Sequence, residues 1–313
     1  MRVELMIEGQ EDVTWPQWVA LAHACEEHGV GTLFRSDHYL SVEGLEERGS
    51  LETWATLAGL AAVTTRLRLG ALVSPATFRH PSVLAKLVTA VDLISNGRVE
   101  LGLGAGWNER EHEAYGLAFP PLGERMEMLE EQLAIVRGAW AEGLFSFAGE
   151  HYRLEALDAR PKPVQQPHPP VIIGGGAKPR TARLAAQFAD EYNTVYATPA
   201  ECAERRAVVE QAWREAGRDP ATMTFSVMVP WVSGSDAHDL RQRAERLADW
   251  RGTDAASLLE EFAGVGVTGT FDESLARLRS YRDAGIDRIM LQHLLHDDLD
   301  AIALLARLAA AIG

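Results

Sequence analysis

The stretch VELGLGAGWNE, Val99–Glu109, decides how this chain is read. Val99–Leu103 is an apolar run of strand length, and glycines take over at Gly102, Gly104 and Gly106 as the chain leaves the sheet. Glycine admits backbone conformations and close approaches that a Cβ forbids, so this exit suits a flat ring or an anion. The spacing is not the GxGxxG of a dinucleotide fold, which follows the first strand of its sheet. After the first strand candidate, Val3–Ile7, this chain has Glu8–Asp12 instead.

The same style of strand exit recurs along the chain. Further strands are expected at Thr32–Phe34, Leu67–Val73, Val171–Ile173, Glu191–Thr194, Thr224–Trp231 and Asp287–Leu291. Helical spacing fills the intervals at Trp15–His28, Glu52–Val63, Pro81–Ile94, Glu124–Trp140, Pro179–Phe188 and Cys202–Ala216. Two more helices, Phe271–Ala284 and Leu299–Ile312, flank the last strand. Strands this apolar, alternating with helices, indicate a parallel sheet covered on both faces. Closure as a (β/α)8 TIM-like barrel is the simplest α/β solution at this length. An open doubly wound sheet is the rival, but it expects its glycine loop after the first strand. One domain over 1–313 is expected, with a hairpin or lid around 141–170 and a charged, variable insertion around 235–262.

Composition narrows the function. The chain has 313 residues, 47% of them hydrophobic, enough for a full core. Its formal charge of −15 argues against nucleic acid, whose binding needs a basic footprint. Only Lys86, Lys162 and Lys178 are lysines, so a lysine beside glycines stands out. Cys25 and Cys202 form no zinc or disulfide pattern, which suits a reducing compartment. No apolar stretch is long enough for a bilayer, and acidic residues at Glu4 and Glu8 interrupt any signal-like start. A cytoplasmic enzyme without a metal is the expectation.

Loops after barrel strands line the active mouth, which gathers Ser36–Asp37–His38, Ala71–Pro75, Gly104–Glu109, Gly174–Lys178, Asn193 and Trp231. His38 is the titratable candidate, able to donate or accept a proton near neutrality, with Asp37 or Glu109 to tune it. Three roles are open to Asp37: orienting His38, bonding a cofactor ring, or capping local backbone. Gly174–Lys178 precedes a helix, so its N–H groups and Lys178 suit a phosphate or carboxylate. Trp107 follows Gly106 at a strand exit and is expected to line a pocket.

These residues resemble the luciferase-like oxidoreductase superfamily, and specifically its coenzyme-F420-dependent branch. The matching blocks are Ser36–His38, LGALVSPATFRHP (Leu69–Pro81), SNGRVELGLGAGWNEREHEAYG (Ser95–Gly116), PHPPVIIGGGAKPRTARLAAQFAD (Pro167–Asp190) and VTGTFDE (Val267–Glu273). The resemblance implies a barrel with insertions, a homodimer, and a deazaflavin or flavin at the strand exits. By carry-over, Asp37 and His38 lie near the ring, and Ala71–Leu72 supplies a non-proline cis peptide behind it. Gly104, Ala105, Gly106, Trp107 and Asn108 flank the cofactor, and Gly175, Gly176 and Lys178 meet its phosphate or tail carboxylates.

One departure is informative. Sugar-phosphate dehydrogenases of the superfamily carry a catalytic glutamate where this chain has Trp107, so that reaction is not implied. Glu109 lies nearby as a further catalytic candidate beside His38 and Asp37. The resemblance implies hydride transfer between the deazaflavin and a small organic substrate. The alternative is an FMN-dependent monooxygenase using oxygen, with a separate reductase as partner. A non-enzymatic binding protein on the same barrel is the remaining reading.

Overall fold

The computed structural model describes residues 1–43 and 47–313. The first half runs β1 (Arg2–Ile7), α1 (Trp15–His28), β2 (Thr32–Arg35), α2 (Thr53–Val63), β3 (Arg68–Pro75), α3 (Pro81–Ser95) and β4 (Val99–Gly104). Helices α4 (Glu109–Tyr115) and α5 (Leu122–Trp140) lead to a hairpin, β5 (Phe145–Ala148) and β6 (Arg153–Leu157). Then come β7 (Val171–Gly174), α6 (Pro179–Phe188), β8 (Glu191–Val195), α7 (Pro199–Glu215) and β9 (Thr224–Gly234). The chain finishes with α8 (Ala237–Arg251), α9 (Ala255–Ala263), β10 (Val267–Thr270), α10 (Phe271–Asp283), β11 (Arg288–His293) and α11 (Asp300–Ile312).

Eight parallel strands close the barrel in the order β9-β11-β1-β2-β3-β4-β7-β8, with β8 pairing back to β9. Strand β10 adds to the far end of β9, at Trp231–Gly234. Local signals set the element ends. Helix α1 stops at Gly29 in the left-handed conformation, φ 77°, where a Cβ would be strained. Capping boxes, Thr198 with Glu201 and Thr270 with Glu273, start α7 and α10 by satisfying free N–H groups of the first turn. Within the 141–170 stretch, Phe145–Ala148 and Arg153–Leu157 pair as an antiparallel hairpin. The 235–262 region instead folds into α8 and α9, capped by Asp236 and Asp254.

Side chains alternate across each strand, and the two faces do different work. Outward residues such as Leu5, Leu33, Leu69, Leu101, Ile173, Phe225 and Ile289 pack under the helices. Inward residues Met6, Phe34, Leu72, Ile172, Met228 and Met290 fill the middle of the barrel. Two residues toward the amino ends, the inward layer turns polar. There Arg288 of β11 reaches across the lumen, its Nη1 donating to Glu100 of β4 (2.7 Å) and Glu191 of β8 (3.0 Å). Its Nη2 donates to Thr32 of β2 at 2.7 Å, and Glu4 of β1 lies 3.7 Å from Nε. Burial pushes the carboxyl pKa values of Glu4 and Glu191 up. Burial opposes ionisation of Glu100 too, but the Arg288 and Arg68 guanidinium groups outweigh it and hold that carboxyl below its usual range.

The loop after β2 is tied to the α8–α9 insertion. Glu11 holds the loop by accepting from the Val42 N–H (2.9 Å) and from Arg48 (2.8 Å). The Arg48 guanidinium lies 3.5 Å over the Trp250 ring, and Arg251 pairs with Glu43 at 2.9 Å. Among the described residues no helix is long and apolar enough to cross a membrane.

Removing one partner from a buried charge cluster strands the others. Arg288→Met is therefore expected to destabilise the fold by about 3–5 kcal/mol at neutral pH. The deficit should narrow as the pH falls and the stranded carboxylates take up protons. Denaturant melts at both pH values check this; an unchanged midpoint at neutral pH would show the guanidinium dispensable.

Candidate functional site

The barrel strands deliver their carboxyl ends to a cavity of about 820 Å³. Leu72, Val73 and Met228 form an apolar floor, and Gly104, Gly174 and Gly175 form part of its rim. The glycines are needed because Val73 leans over β4 and β7. A Cβ on Gly104 would sit 2.8 Å from Val73 Cγ2, and one on Gly174 would sit 3.3 Å from Cγ1. The non-proline cis peptide is Leu72–Val73, not the expected Ala71–Leu72. Ala71 is held in regular register by Arg35 on one side and Leu101 on the other. The β3–β4 register breaks only between Ala71 and Ser74, so the irregular bond falls one residue later.

His38 lines this cavity. Its Nδ1 bonds Glu111 Oε1 at 2.8 Å, and Glu111 is buried on α4 with its other oxygen accepting from the Tyr39 N–H at 3.1 Å. Burial alone disfavours the imidazolium, but the hydrogen bond and charge of Glu111 outweigh it, so the His38 pKa lies above its ordinary value. With Nδ1 committed to Glu111, Nε2 is the atom left to exchange a proton. Trp107, 66% exposed, stands edge-on to the imidazole with ring centroids 5.4 Å apart.

Asp37 is buried behind His38 and does not line the cavity. It accepts from Arg79 at 2.6 and 3.1 Å and from the Ser74 hydroxyl at 2.5 Å. Burial would raise its pKa, but Arg79 and Ser74 override that and hold the carboxyl below its usual range. Of the three open roles, the geometry favours local anchoring: Asp37 ties β2 to β3 and to the Arg79 loop.

A cationic corner lies at the start of α6. Lys178 is the N-cap residue of that ten-residue helix, and Arg180 and Thr181 join it on the cavity wall. Tyr192 orders the preceding turn by accepting from the Ala177 N–H at 2.7 Å. On the opposite wall Glu8 accepts from the side-chain amides of Gln10 (2.8 Å) and Gln292 (2.6 Å).

The structure thus brings together His38, Leu72, Gly104, Ala105, Gly106, Trp107, Gly175 and Lys178. Asn193, a strand-exit candidate, also lines the cavity. Ala71 faces the outer core, and Gly176 stands in open space. Asn108 receives a 2.6 Å hydrogen bond from His112 on its carbonyl, and Glu109 is exposed in the first turn of α4. None of these four reaches the cavity wall. Trp231 turns instead toward His293, 5.4 Å away between centroids. Sequence reasoning missed Glu111 as the partner of His38, because α4 was not recognised. Its signal was present: Asn108 before the helix and Gly116, φ 66°, after it.

The sequence profile of the luciferase-like monooxygenase family matches residues 2–307. The chain belongs to this family. Membership makes it an enzyme of an oxidoreductase class and removes the non-enzymatic barrel from consideration. An uncharacterized protein of Mycobacterium tuberculosis is 30% identical over 269 residues, covering 78% of this chain and 92% of that one. Pyrimidine monooxygenase RutA of Methylorubrum extorquens is 31% identical over 230 residues, covering 71% of this chain but 59% of its own length. Among solved structures, an F420-dependent secondary alcohol dehydrogenase superposes with a TM-score of 0.84 over 100% of both chains. At 20% identity that likeness concerns the fold.

The His38–Glu111 pair generates a measurable expectation. Glu111→Gln removes the charge that raises the imidazole pKa, so that pKa should fall. Because the native value lies above the ordinary one, the pair's stabilisation is complete below about pH 6.5 and fades as pH rises through the folded pKa. Imidazole proton shifts followed by NMR against pH test this; the same His38 titration in both proteins would exclude Glu111 as its cause.

Proposed function

We propose that the cavity binds flavin mononucleotide and that the protein is a flavin-dependent monooxygenase of a small organic substrate. The observation that carries this reading is the division of the cavity wall into an apolar floor, a glycine rim and a cationic corner. A planar ring suits the floor of Leu72, Val73 and Met228, since Gly104 leaves its approach open. A phosphate suits Gly175, Lys178 and Arg180, where the amino terminus of α6 adds its positive dipole end. The sequence put a deazaflavin first. The 31% identity to a monooxygenase supports the flavin alternative better.

Bound in reduced form, the flavin would supply two electrons to dioxygen, one oxygen atom entering the substrate and the other leaving as water. The chain's own residues then have three tasks. The apolar floor and Trp107 limit water at the ring. His38 exchanges a proton at Nε2, and Glu111 fixes its orientation from Nδ1. Asp37 acts at a distance, holding the His38 segment through Arg79. Glu109 is exposed and off the cavity wall, with its charge directed at Arg125, and has no part in this chemistry.

One observation favours the second reading, hydride transfer with coenzyme F420. Hydride moving to or from a carbonyl carbon needs a proton partner, and His38, with its pKa raised, is placed for that. Lys178 and Arg180 would then meet the tail carboxylates. A cytoplasmic homodimer served by a separate flavin reductase fits the flavin reading.

Titrating the purified chain with flavin mononucleotide and, separately, with coenzyme F420 distinguishes the readings by fluorescence. Saturable flavin binding, weakened about tenfold or more by Lys178→Glu, is expected, that loss matching about 1.4 kcal/mol. Binding of F420 alone would replace the proposal with its alternative, and binding of neither would end both. With the cofactor bound, His38→Asn should lower turnover about 10²–10⁴-fold while cofactor affinity holds; an equal loss in both would contradict a proton-transfer role.

A further inference from the structure

Glu8 follows the last residue of β1 and lines the cavity while remaining buried. Its carboxylate is the end point of two converging hydrogen-bond chains. From one side the Tyr196 hydroxyl donates to Gln292 Oε1 at 3.0 Å, and Gln292 Nε2 donates to Glu8 Oε1 at 2.6 Å. From the other, the Gly9 N–H donates to Ser36 Oγ at 3.1 Å, the Ser36 hydroxyl donates to Gln10, and Gln10 Nε2 donates to Glu8 Oε2 at 2.8 Å. The hydroxyls of Tyr196 and Ser36 occupy the amide oxygens of both glutamines. Each glutamine must therefore turn its NH2 toward the carboxylate, and a flipped amide would set oxygen against oxygen.

Both hydroxyls and one N–H of each glutamine amide are spent inside the two chains. What Glu8 offers inward is acceptor capacity, since a carboxylate has about four lone-pair positions and two are filled. Among the described residues Glu8 forms no ion pair. The Arg35 guanidinium and the His38 imidazole feel the Glu8 charge without bonding to it. A buried carboxylate lacking a direct cationic partner is costly, and a ligand that donates to it lowers that cost. The supporting backbone is itself constrained. Tyr196 lies at φ 46°, left-handed for a bulky residue, with its N–H on Met228 O at 3.0 Å. Burial, with a smaller contribution from the Glu8 charge, pushes the Tyr196 phenol pKa up, so the hydroxyl stays a donor.

We infer that the Glu8 end of the cavity is a substrate subsite for a hydrogen-bond-donating nitrogen, the N–H of an ammonium or of an amide. The inference rests on the cavity being the active site. It adds a specificity residue, Glu8, positioned by Gln10, Gln292 and Tyr196.

Three probes of similar shape separate the possibilities: benzylammonium, benzamide and N,N-dimethylbenzamide, which has no N–H. Their binding to the purified chain is read by ligand-observed NMR, with flavin mononucleotide affinity and thermal melting followed in parallel. One or both N–H probes should bind at least tenfold more tightly than the dimethyl amide, and which one does so identifies the charged or the neutral source. Glu8→Gln should reduce that preference tenfold or more, with flavin affinity unchanged. Tyr196→Phe, at a half-exposed side chain, should reduce it about threefold and decides the matter if Glu8→Gln does not fold. Equal binding of all three probes, or an undiminished preference in a folded variant, overturns the subsite. Loss of flavin binding with the preference intact overturns the cofactor assignment alone.

Discussion

The guanidinium of Arg288, set inside the barrel among Glu4, Glu100 and Glu191, is the interaction on which the rest of the architecture depends. It joins β11 to β2, β4 and β8 across the lumen, where ladder hydrogen bonds join only neighbours. Barrels of this class usually fill that space with apolar layers. Here an ionic layer seals the amino end and the apolar layer of Met6, Phe34, Ile172, Met228 and Met290 lies directly above it. With the lower and middle levels filled, the open space in the lumen is left at the carboxyl end. The cavity is where the packing stops.

Above that stopping point, the charges are arranged in opposed pairs. His38 meets Glu111 and Asp37 meets Arg79, each across more than 35 residues of sequence. The two pairs have different consequences. Arg79 neutralises Asp37 and fixes it as a strut, while Glu111 biases His38 toward its charged form and leaves one ring nitrogen for exchange. Lys178 and Arg180 face the cavity from one side and Glu8 from the other, so the site is polarised although the protein as a whole carries a formal charge of −15.

Strand and helix order was legible because buried parallel strands need apolar residues on both faces and their helices need caps. Helix Pro179–Phe188 has the bounds its proline start and apolar spacing indicate. The insertion at 235–262 was harder, since its helices are richly charged and bury only residues such as Leu247, Leu258 and Phe262. The glycine exits located the mouth, but not its chemistry. His38 was readable as the titratable candidate at a strand end, with Asp37 or Glu109 expected to tune it. Its partnership with Glu111 spans 73 residues and depends on a seven-residue helix, so no local pattern encodes it. Glu8 was hidden for a related reason: its environment is made by glutamines from both ends of the chain.

The stacking of Arg48 on Trp250 and the pairing of Arg251 with Glu43 give the mouth of the cavity a mechanical character. Glu43 and Arg48, beyond His38, are braced by side chains of the insertion after β9. A change of length or charge in α8 or α9 therefore reaches His38 through its own loop, without any contact with the imidazole. Remodelling a helix pair far along the chain would alter the loop after β2 while His38 and its carboxylate partner stay as they are.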